Sequence, residues 1–457
     1  MSLQARFVAL IALAFVVGGG AASLLALAPL SARQAACSLL AAACSLVASG
    51  MMVAELAREA RGTRLPAAEI SSYTLTLSDD ATRLASGGYA LAGRLESIEL
   101  TNGAVISRRD RIRIYDAARE YEWGALLKVR GGFSLPPTHP DAFSGSGEPG
   151  GIRQVGWHHP LFLERARLRR WIEARTGHLA PDDSALLRAL LIGCRDDLAS
   201  SETYFFRRAG AVHLLALSGL HLAVLSALLL HTLGPLFGRR KAVVVAAFVL
   251  VFYLFVAGPK ISLIRAVIMF CLYAAARTIG RPVRGLDLLA LAFVCCTLTA
   301  PGSTSSLSFQ LSFLALAGIL TVGRQLDRAA APYLPGIVRL PLAASVAAQI
   351  FTAPVLAGSF GVLYPVGIAS ALILTPLVTA YMWGGLAFVL LPFAWVGPLE
   401  RVAAQGMAIL HQVIVGSAEL FARAPVLRIA NPWHVYAGTA LCILIFAAAA
   451  LLRRAHS

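Results

Sequence analysis

Apolar runs follow one another from Ala209 almost to the C-terminus, with only short segments between them. Such runs approach the length of about 20 residues that a helix needs to cross about 30 Å of hydrocarbon. The whole chain of 457 residues is 58% hydrophobic and only 14% charged, whereas soluble domains carry about 25% charged residues. A soluble core does not need this much apolar sequence, so we predict a polytopic α-helical membrane protein.

Hydropathy predicts about 10–11 membrane spans. Two apolar runs near the N-terminus, residues 7–28 and 35–54, form a predicted transmembrane hairpin over residues 1–56. Several later runs are shorter than 20 residues, and short or interrupted segments often line cavities instead of facing lipid. The later spans are expected at approximately 212–233, 242–257, 261–276, 286–300, 307–323, 340–357, 366–391, 401–418 and 433–452.

The region between the two hydrophobic parts has a different pattern, because charged residues return and the apolar period falls to two. Asp-Asp, Gly-Gly and Asn-Gly turn signals separate the alternating runs. About four or five short strands in this length favour a small, nearly closed β-barrel, since closure removes exposed sheet edges. We predict an OB-like barrel over residues 57–135, while the periodicity fits an SH3-like barrel almost as well. The alternating runs are residues 73–77, 89–95, 111–115 and 123–129.

Residues 136–205 are expected to connect this barrel to a membrane domain formed by residues 206–457. Within the connector, residues 164–175 form a basic amphipathic helix whose arginines are interpreted as a solvated or interfacial face, with phosphate contact as the alternative. Asp182 or Asp183 is expected to cap the helix that follows.

Arginine and lysine are concentrated in alternate loops of the hydrophobic part. The loops between them, around Lys260 and at 301–306 and 358–364, are poor in basic residues. The positive-inside rule places the basic loops in the cytoplasm. Residues 57–205 are then extracytoplasmic, in a multi-pass protein of the cytoplasmic (inner) membrane. The basic loops contain Arg239, Arg240 and Lys241, then Arg277, Arg281 and Arg284, then Arg324, Arg328 and Arg339.

The formal net charge of +16 has two interpretations. Basic residues that flank helices and set orientation account for such charge in most polytopic proteins. Contact with a polyanion such as nucleic acid is the alternative. Charge alone favours the first interpretation.

The first long apolar run carries His213, Ser218 and His221. Polar side chains at membrane depth are costly, so they usually face a cavity or a partner. A serine and a histidine resemble a nucleophile and its base, but such a site needs an orienting carboxylate, and the nearest candidate is Asp287 at the edge of a span. On a straight helix the two histidines would point in similar directions, yet two histidines alone make a weak metal site. We therefore predict no catalytic residue, no metal and no cofactor; Gly219 is expected to allow close helix approach or to mark a break.

Other polar residues lie inside later spans. Gln310 and Ser312 are expected to form hydrogen bonds between helices. A buried arginine is expensive and needs a partner or a wet cavity, so Arg265 is the more informative residue. Its fixed positive charge could guide a passing phosphate backbone.

Residues 213–221, His-Leu-Leu-Ala-Leu-Ser-Gly-Leu-His, closely resemble the H-L-L-A-[IV]-S-G-L-H motif of the ComEC-type competence proteins. Further similarities follow in the same order. Residues 191–195 resemble the L-L-G-D-R of that family, with Cys194 in place of the acidic residue, and residues 265–269 resemble its R-A-x-x-M. Gly280-Arg281-Pro282 with Asp287 resembles the next block, and residues 308–315 resemble F-Q-L-S-F-L-A.

The resemblance implies an inner-membrane channel that moves single-stranded DNA into the cytoplasm during natural transformation, with an OB-like domain on the outer face. Many members add a C-terminal metallo-β-lactamase-like domain. This chain ends at Ser457 without an H-x-H-x-D-H motif, so a nuclease is expected either on another chain or not at all. The partners that the resemblance implies are single-stranded DNA, membrane lipid, a separate nuclease subunit, a DNA receptor, a cytoplasmic helicase and further copies of the chain.

A binder of single strands combines basic groups with aromatic rings. The predicted barrel offers Arg109, Arg111 and Arg113 with Tyr115 and Trp123, and OB barrels are common platforms for such strands. The alternative is an exposed barrel face that is simply rich in arginine.

Two other functions stay open at this point. The chain could be a transporter of another solute, or, less favoured, an intramembrane hydrolase that uses Ser218. The missing carboxylates argue against the hydrolase. We therefore predict a channel component that is not an enzyme.

Overall fold

The computed structural model describes residues 70–455 except 85–86, 108–110, 131–132, 135–142, 146–150, 281, 283, 300–303, 305 and 392–396. The predicted hairpin at residues 1–56 and the predicted DNA-binding residue Arg109 lie outside the described residues.

A mostly antiparallel sheet, in which β5 and β8 pair in parallel, forms the first described part of the chain. Its strand order is β7-β8-β5-β3-β1-β6-β9, with β2 and β4 paired to β3. The strands are β1 (Ile70–Leu77), β2 (Thr82–Arg83), β3 (Tyr89–Leu100), β4 (Val105–Ser107), β5 (Arg111–Ala117), β6 (Ala125–Arg130), β7 (Phe133–Ser134), β8 (Phe143–Gly145) and β9 (Ile152–Trp157).

The period of two places one set of side chains inside this sheet. Tyr73, Leu75 and Leu77 of β1 are buried, and they pack on apolar residues of the two strands that pair with β1. Alternate residues of the same strands face outward. The prediction of a small β-strand domain ahead of the long hydrophobic region is therefore confirmed.

The sheet differs from the predicted barrel in two respects, its closure and its residue range. Among the described residues no strand pairing joins β5 to β9, since β5 pairs with β3 and β8. In addition, β9 lies within the range 136–205 assigned to the connector, so the sheet continues beyond residue 135. The backbone groups on the second edge of β6 need partners, and β9 supplies them.

Helices form almost all of the remaining chain. They are α1 (Pro160–Thr176), α2 (Pro181–Ile192), α3 (Ser200–Arg208), α4 (Val212–Leu215), α5 (Gly219–Phe237), α6 (Arg239–Ala257), α7 (Ile261–Thr278), α8 (Gly285–Thr299), α9 (Leu307–Gly318), α10 (Arg324–Ala330), α11 (Gly336–Phe360), α12 (Gly367–Leu390), α13 (Pro398–Ala422) and α14 (Pro432–Ala455). A π-helical turn, Ile319–Gly323, joins α9 to α10.

Six helices in the described part of the chain are long and apolar enough to cross a membrane, which confirms the polytopic helical prediction. The predicted span at 307–323 extends to Ala330, because the helix continues through the π-helical turn. Helix α8 is apolar but shorter, and α13 and α14 are helical but outside this group of six. The six are Gly219–Phe237, Arg239–Ala257, Ile261–Thr278, Leu307–Ala330, Gly336–Phe360 and Gly367–Leu390.

Two expectations for the connector helices need correction. Arg167 and Arg170 of α1 are exposed, as a solvated face requires, but Arg165 and Arg169 are buried. Helix α2 begins at Pro181 with Ala180 as its N-cap residue, and no side chain caps it. Proline fits the first helical turn because its missing N–H would be unpaired there. Asp182 and Asp183 therefore lie inside the first turn.

A buried ion pair fixes the sheet to the helices. Both terminal nitrogens of Arg165 donate to the Asp80 carboxylate, at 2.8 and 2.7 Å, and its Nε donates 2.8 Å to the carbonyl of Phe255 at the end of α6. Burial of the Asp80 carboxyl opposes its ionisation, but the Arg165 bonds and the charge of Arg169 hold its pKa below the usual value. Charge-assisted bidentate bonds of this kind fix orientation as well as distance. The turn that contains Asp80 is therefore held against the helical part.

A second ion pair and an aromatic cluster complete this junction. Lys260, between α6 and α7, donates to both carboxylate oxygens of Asp79 at 3.0 Å. The ring of Trp123 lies 5.0 Å from that of Phe162 and 5.9 Å from that of Phe255. The sheet thus sits over the loop between α6 and α7.

Candidate functional site

The first long apolar run is not one straight helix. Helix α4 ends at Leu215, residues 216–218 are extended or irregular, and α5 begins at Gly219. This confirms the break expected at Gly219. It also separates the two histidines, because His213 lies exposed on α4 whereas His221 lies buried in α5. They therefore do not share one helix face, as they would on a straight helix.

Ser218 and His221 together cap the N-terminus of α5. The Ser218 hydroxyl oxygen accepts from the backbone N–H of Leu220 at 3.2 Å, and His221 Nδ1 accepts from the backbone N–H of Ser218 at 3.3 Å. The arrangement is a capping box with histidine in the place usually taken by glutamate or glutamine. These two residues therefore stabilise the start of a helix that begins inside the apolar region.

The same two side chains touch each other, with Ser218 Oγ 3.0 Å from His221 Nδ1. A hydrolytic serine–histidine pair also needs a group that orients the second imidazole nitrogen. His221 Nε2 is buried and has no hydrogen-bond partner among the described residues. Its position therefore fits capping better than proton transfer to a substrate.

Arg265 of α7 lies against the start of α5. A Cβ atom added at Gly219 would lie 3.0 Å from Arg265 Nη2 and 3.6 Å from the Cβ of Ala266. The Arg265 side chain is buried, donates through Nη1 to the carbonyl of Ser312, and lies 5.5 Å from the centre of the Phe313 ring. It therefore links α5, α7 and α9.

The extended residues between α4 and α5 have further partners. The carbonyl of Leu217 accepts from the Ser262 hydroxyl at 2.8 Å. Gly193 ends α2 with φ of +76°, and a Cβ atom there would meet the Leu217 side chain at 2.7 Å. Gly193 thus allows the close approach of the break to α2, which a larger residue would prevent.

Asp287 and Gln310 lie outside this group of contacts, whereas Ser312 takes part through its backbone. Asp287 is exposed in the first turn of α8. Gln310 donates to the carbonyl of Thr304 at 3.4 Å. Ser312 contributes its backbone carbonyl to Arg265. The structure therefore brings together Ser218, Gly219, His221, Arg265 and the Ser312 backbone, and we call this group the break site.

Strand register reveals a surface on the sheet that we call the basic face. Residues directly opposite in paired strands project to the same side. Arg94 lies opposite Thr76, Ala92 opposite Arg113, and Lys128 opposite both Thr74 and Arg153. The exposed basic residues of this face are Arg94, Arg113, Lys128, Arg130 and Arg153.

The predicted DNA-binding residues relate to the basic face in different ways. Arg113 and Tyr115 are exposed two residues apart on β5, and Arg111 has its backbone in the same strand opposite Arg94. Trp123 instead packs on Phe162 and Phe255 at the junction with the helices. The remaining basic residues come from β3, β6 and β9 and lack arginine clustering in the sequence, so only the strand register could have identified them.

One group of side chains in the described part of the chain has donor atoms close enough to hold a metal ion. The ligand atoms of Glu120, Cys194 and Asp196 all lie within 4.8 Å of one another. Loss of solvent raises the pKa of Glu120 to about 7, and the charges of Asp196 and Glu173 add to this effect. Burial raises the pKa of Cys194 to about 12. No local pattern predicts this group, because Glu120 is distant in the chain from Cys194 and Asp196.

Comparisons with known proteins place the break site within a described family. A family model described as "Competence protein" matches residues 190–456, which is more than half of the chain. ComE operon protein 3 of Bacillus subtilis (strain 168) is 32% identical over 148 residues. The matched part is 32% of this chain and 19% of that protein, so this chain covers less than two thirds of that relative's length. No solved structure gives a significant match.

Proposed function

Because this chain belongs to the competence protein family, we propose that it takes part in DNA uptake as a component of a membrane channel. The resemblance read from residues 213–221 is thereby confirmed as a family assignment. The substrate of the proposed channel is single-stranded DNA that enters the cytoplasm during natural transformation. A multi-pass helical membrane domain is the architecture that such a path requires.

The break site is the observation that carries this proposal. Irregular backbone at membrane depth is tolerated only where protein covers it or where it lines a cavity. Helix N-termini at such breaks present the positive end of the helix dipole to anionic substrates. Helix α5 has no acidic residue in its first turn, and the guanidinium of Arg265 lies beside Gly219. Positive charge at this point favours a passing phosphate backbone.

Arg265 has a positioning role in this proposal. Its side chain is buried and held by the Ser312 carbonyl and the Phe313 ring, so it fixes α5 against α7 and α9 while its charge adds to the local field. This differs from a mobile arginine that follows the DNA.

We place the sheet domain on the extracytoplasmic side of the inner membrane. Helix α6 starts at Arg239 beside the basic loop that precedes it and ends at Ala257. The loop after it reaches the sheet domain through Lys260 and Asp79. The sheet therefore lies at the opposite end of α6 from the basic loop, as the positive-inside rule requires for an outer domain.

We also propose that the basic face binds the incoming single strand. Its five exposed cations come from four strands, and Tyr115 offers an exposed ring on the same sheet. Cations supply sequence-independent attraction to phosphates, and aromatic rings stack on bases. We leave Trp123 out of this surface, because its ring packs at the junction.

Reconstitution tests the channel. The purified chain is placed in lipid vesicles, and fluorescent single-stranded DNA is added outside, followed by nuclease. We expect protected single strands in vesicles that contain the chain, little protection of duplex DNA, and loss of protection with Arg265→Gln. If the vesicles protect no DNA, even with an imposed ion gradient, but transport a small solute, the chain is a transporter of another class.

A further inference from the structure

A second group of buried titratable residues lies away from the break site. His411 of α13 has Nδ1 2.8 Å from Asp183 Oδ1 of α2 and Nε2 3.0 Å from Glu202 Oε1 of α3. All three side chains are buried, with 5%, 6% and 7% of their surface exposed for Asp183, Glu202 and His411. We call this group the His411 triad. It joins α2 and α3, which follow one another in the chain, to α13, which is distant in the sequence.

The geometry fixes how many protons the triad must hold. A neutral imidazole has one N–H donor, and its second nitrogen is an acceptor. An ionised carboxylate only accepts. Two nitrogen–oxygen contacts at hydrogen-bond distance therefore need two protons, one on each contact. A neutral histidine between two ionised carboxylates would supply only one of these protons. The triad must therefore hold one additional proton.

The surrounding helices favour the imidazole as the place for this proton. Asp183 lies in the first turn of α2 and Glu202 in the first turn of α3. The positive end of a helix dipole stabilises a carboxylate there. We therefore assign the additional proton, and the positive charge that comes with it, to His411.

Other polar groups around the triad are consistent with this assignment. The Tyr381 hydroxyl of α12 donates 2.7 Å to the Asp183 carbonyl, and its ring centre lies 6.3 Å from that of His411. Asp182 adds a further negative charge from α2. Arg208, at the other end of α3, donates 3.2 Å to the Ala422 carbonyl at the end of α13. The two ends of α3 therefore both contact α13, with Glu202 at His411 and Arg208 at Ala422.

We infer that Asp183, Glu202 and His411 form a buried proton-binding site that clamps α13 to α2 and α3. Buried histidine and carboxylate groups in membrane proteins commonly hold exchangeable protons. Loss of the proton at alkaline pH leaves one nitrogen–oxygen contact without a hydrogen bond and two buried carboxylates without a countercharge. The clamp then loosens. Because α3 leads through residues 209–211 into α4, the proton site is connected to the segment that ends at the break.

Nuclear magnetic resonance of the full chain in lipid nanodiscs, with isotope-labelled histidine, tests the site. The His411 signal is identified by its loss in His411→Gln and, should that variant not fold, by its displacement in Glu202→Gln. At pH 7.5 we expect both ring nitrogens of His411 to carry protons, whereas free histidine in the same buffer is neutral. A neutral His411 ring at pH 7.5 overturns the inference.

The pH dependence of thermal unfolding is a second test, because a contact that binds no proton would not change it. The native chain should lose thermal stability as the pH rises into the alkaline range, because the folded state binds the additional proton more tightly than the unfolded state. His411→Gln should be less stable at neutral pH and should lack that alkaline decline. The control is His178→Gln. His178 is exposed and contacts Glu400 of α13, the helix that carries His411, at 3.0 Å. The His178→Gln variant should keep the decline. An unchanged decline in His411→Gln contradicts the proposal.

Discussion

The Nη2 atom of Arg265 lies 3.0 Å from the position that a Cβ atom would occupy at Gly219. The arginine cannot easily withdraw, because its other terminal nitrogen donates to the Ser312 carbonyl and its Cζ atom lies over the Phe313 ring. The position of Arg265 therefore requires glycine at position 219. Because Gly219 has no side chain, the Arg265 guanidinium can lie close to the N-terminus of α5.

This relationship predicts the effect of Gly219→Ala. The added methyl group must displace a held guanidinium, and overpacking of this kind costs about 1–3 kcal/mol. We expect lower thermal stability and a marked loss of DNA uptake, measured as transformation frequency in a competent host that depends on this chain. Gly234→Ala is the control in the same helix, since nothing lies within 4 Å of a Cβ there. Equal effects of the two substitutions would contradict the relationship.

The Ser218 cap predicts a separate pattern. Ser218→Ala removes the side-chain acceptor for the Leu220 N–H, at a cost of about 1 kcal/mol in helix stability. Ser218→Asn supplies another capping oxygen without a hydroxyl, so we expect near-native uptake. Uptake by the two variants and their thermal stability are the measurements. A third variant, Ser218→Thr, keeps the hydroxyl. If Ser218→Asn loses as much uptake as Ser218→Ala while Ser218→Thr retains uptake, the hydroxyl itself takes part in chemistry and the hydrolase alternative is favoured.

The sequence predicted the features that depend on local pattern. The period of two gave the strands around Leu75 and Leu91, and hydropathy gave the long helices. Gly219 in an apolar run indicated the break, because glycine favours irregular backbone. These features need only neighbouring residues.

Features that join distant residues could not be predicted in this way. Asp80 and Arg165 are 85 positions apart, and nothing in either segment identifies the other. The basic face needed the register of β3, β6 and β9, since a shift of one residue turns every side chain to the other side. The His411 triad joins segments 209 positions apart. Only the folded chain shows that its charges are paired.

The buried pair between Arg165 and Asp80 should hold the sheet domain in place. Arg165→Met leaves the Asp80 carboxylate buried without its main partner, which costs about 3–5 kcal/mol. We expect thermal unfolding at lower temperature and faster proteolysis near residue 80. Arg167→Met is the control, because Arg167 pairs with Glu164 on the exposed side of the same helix and such a change is expected within about 0.5 kcal/mol. Indistinguishable variants would show that the junction does not depend on this pair.

Glu120 predicts a pH effect at the junction. Its pKa in the folded chain is raised to about 7, so the unfolded chain, with an ordinary value near 4.5, loses this proton at lower pH. Stability is therefore lost as the pH rises from about 4.5 to about 7, and the cost stays at higher pH. Glu120→Gln should raise the unfolding temperature at pH 8 and have little effect at pH 4.5. A stabilisation that is the same at both pH values would disprove this account.

The last prediction concerns the basic face. Each phosphate contact that is lost should reduce the slope of log binding constant against log salt by about 0.7 for a single strand. We expect Arg113→Glu and Arg153→Glu each to weaken binding of fluorescent oligothymidylate and to lower this slope, measured by fluorescence anisotropy at several salt concentrations. Arg167→Glu, on the exposed side of α1, is the matched control for net charge. If it weakens binding as much as the two sheet variants, the attraction depends on overall charge, and the basic face is not the DNA surface.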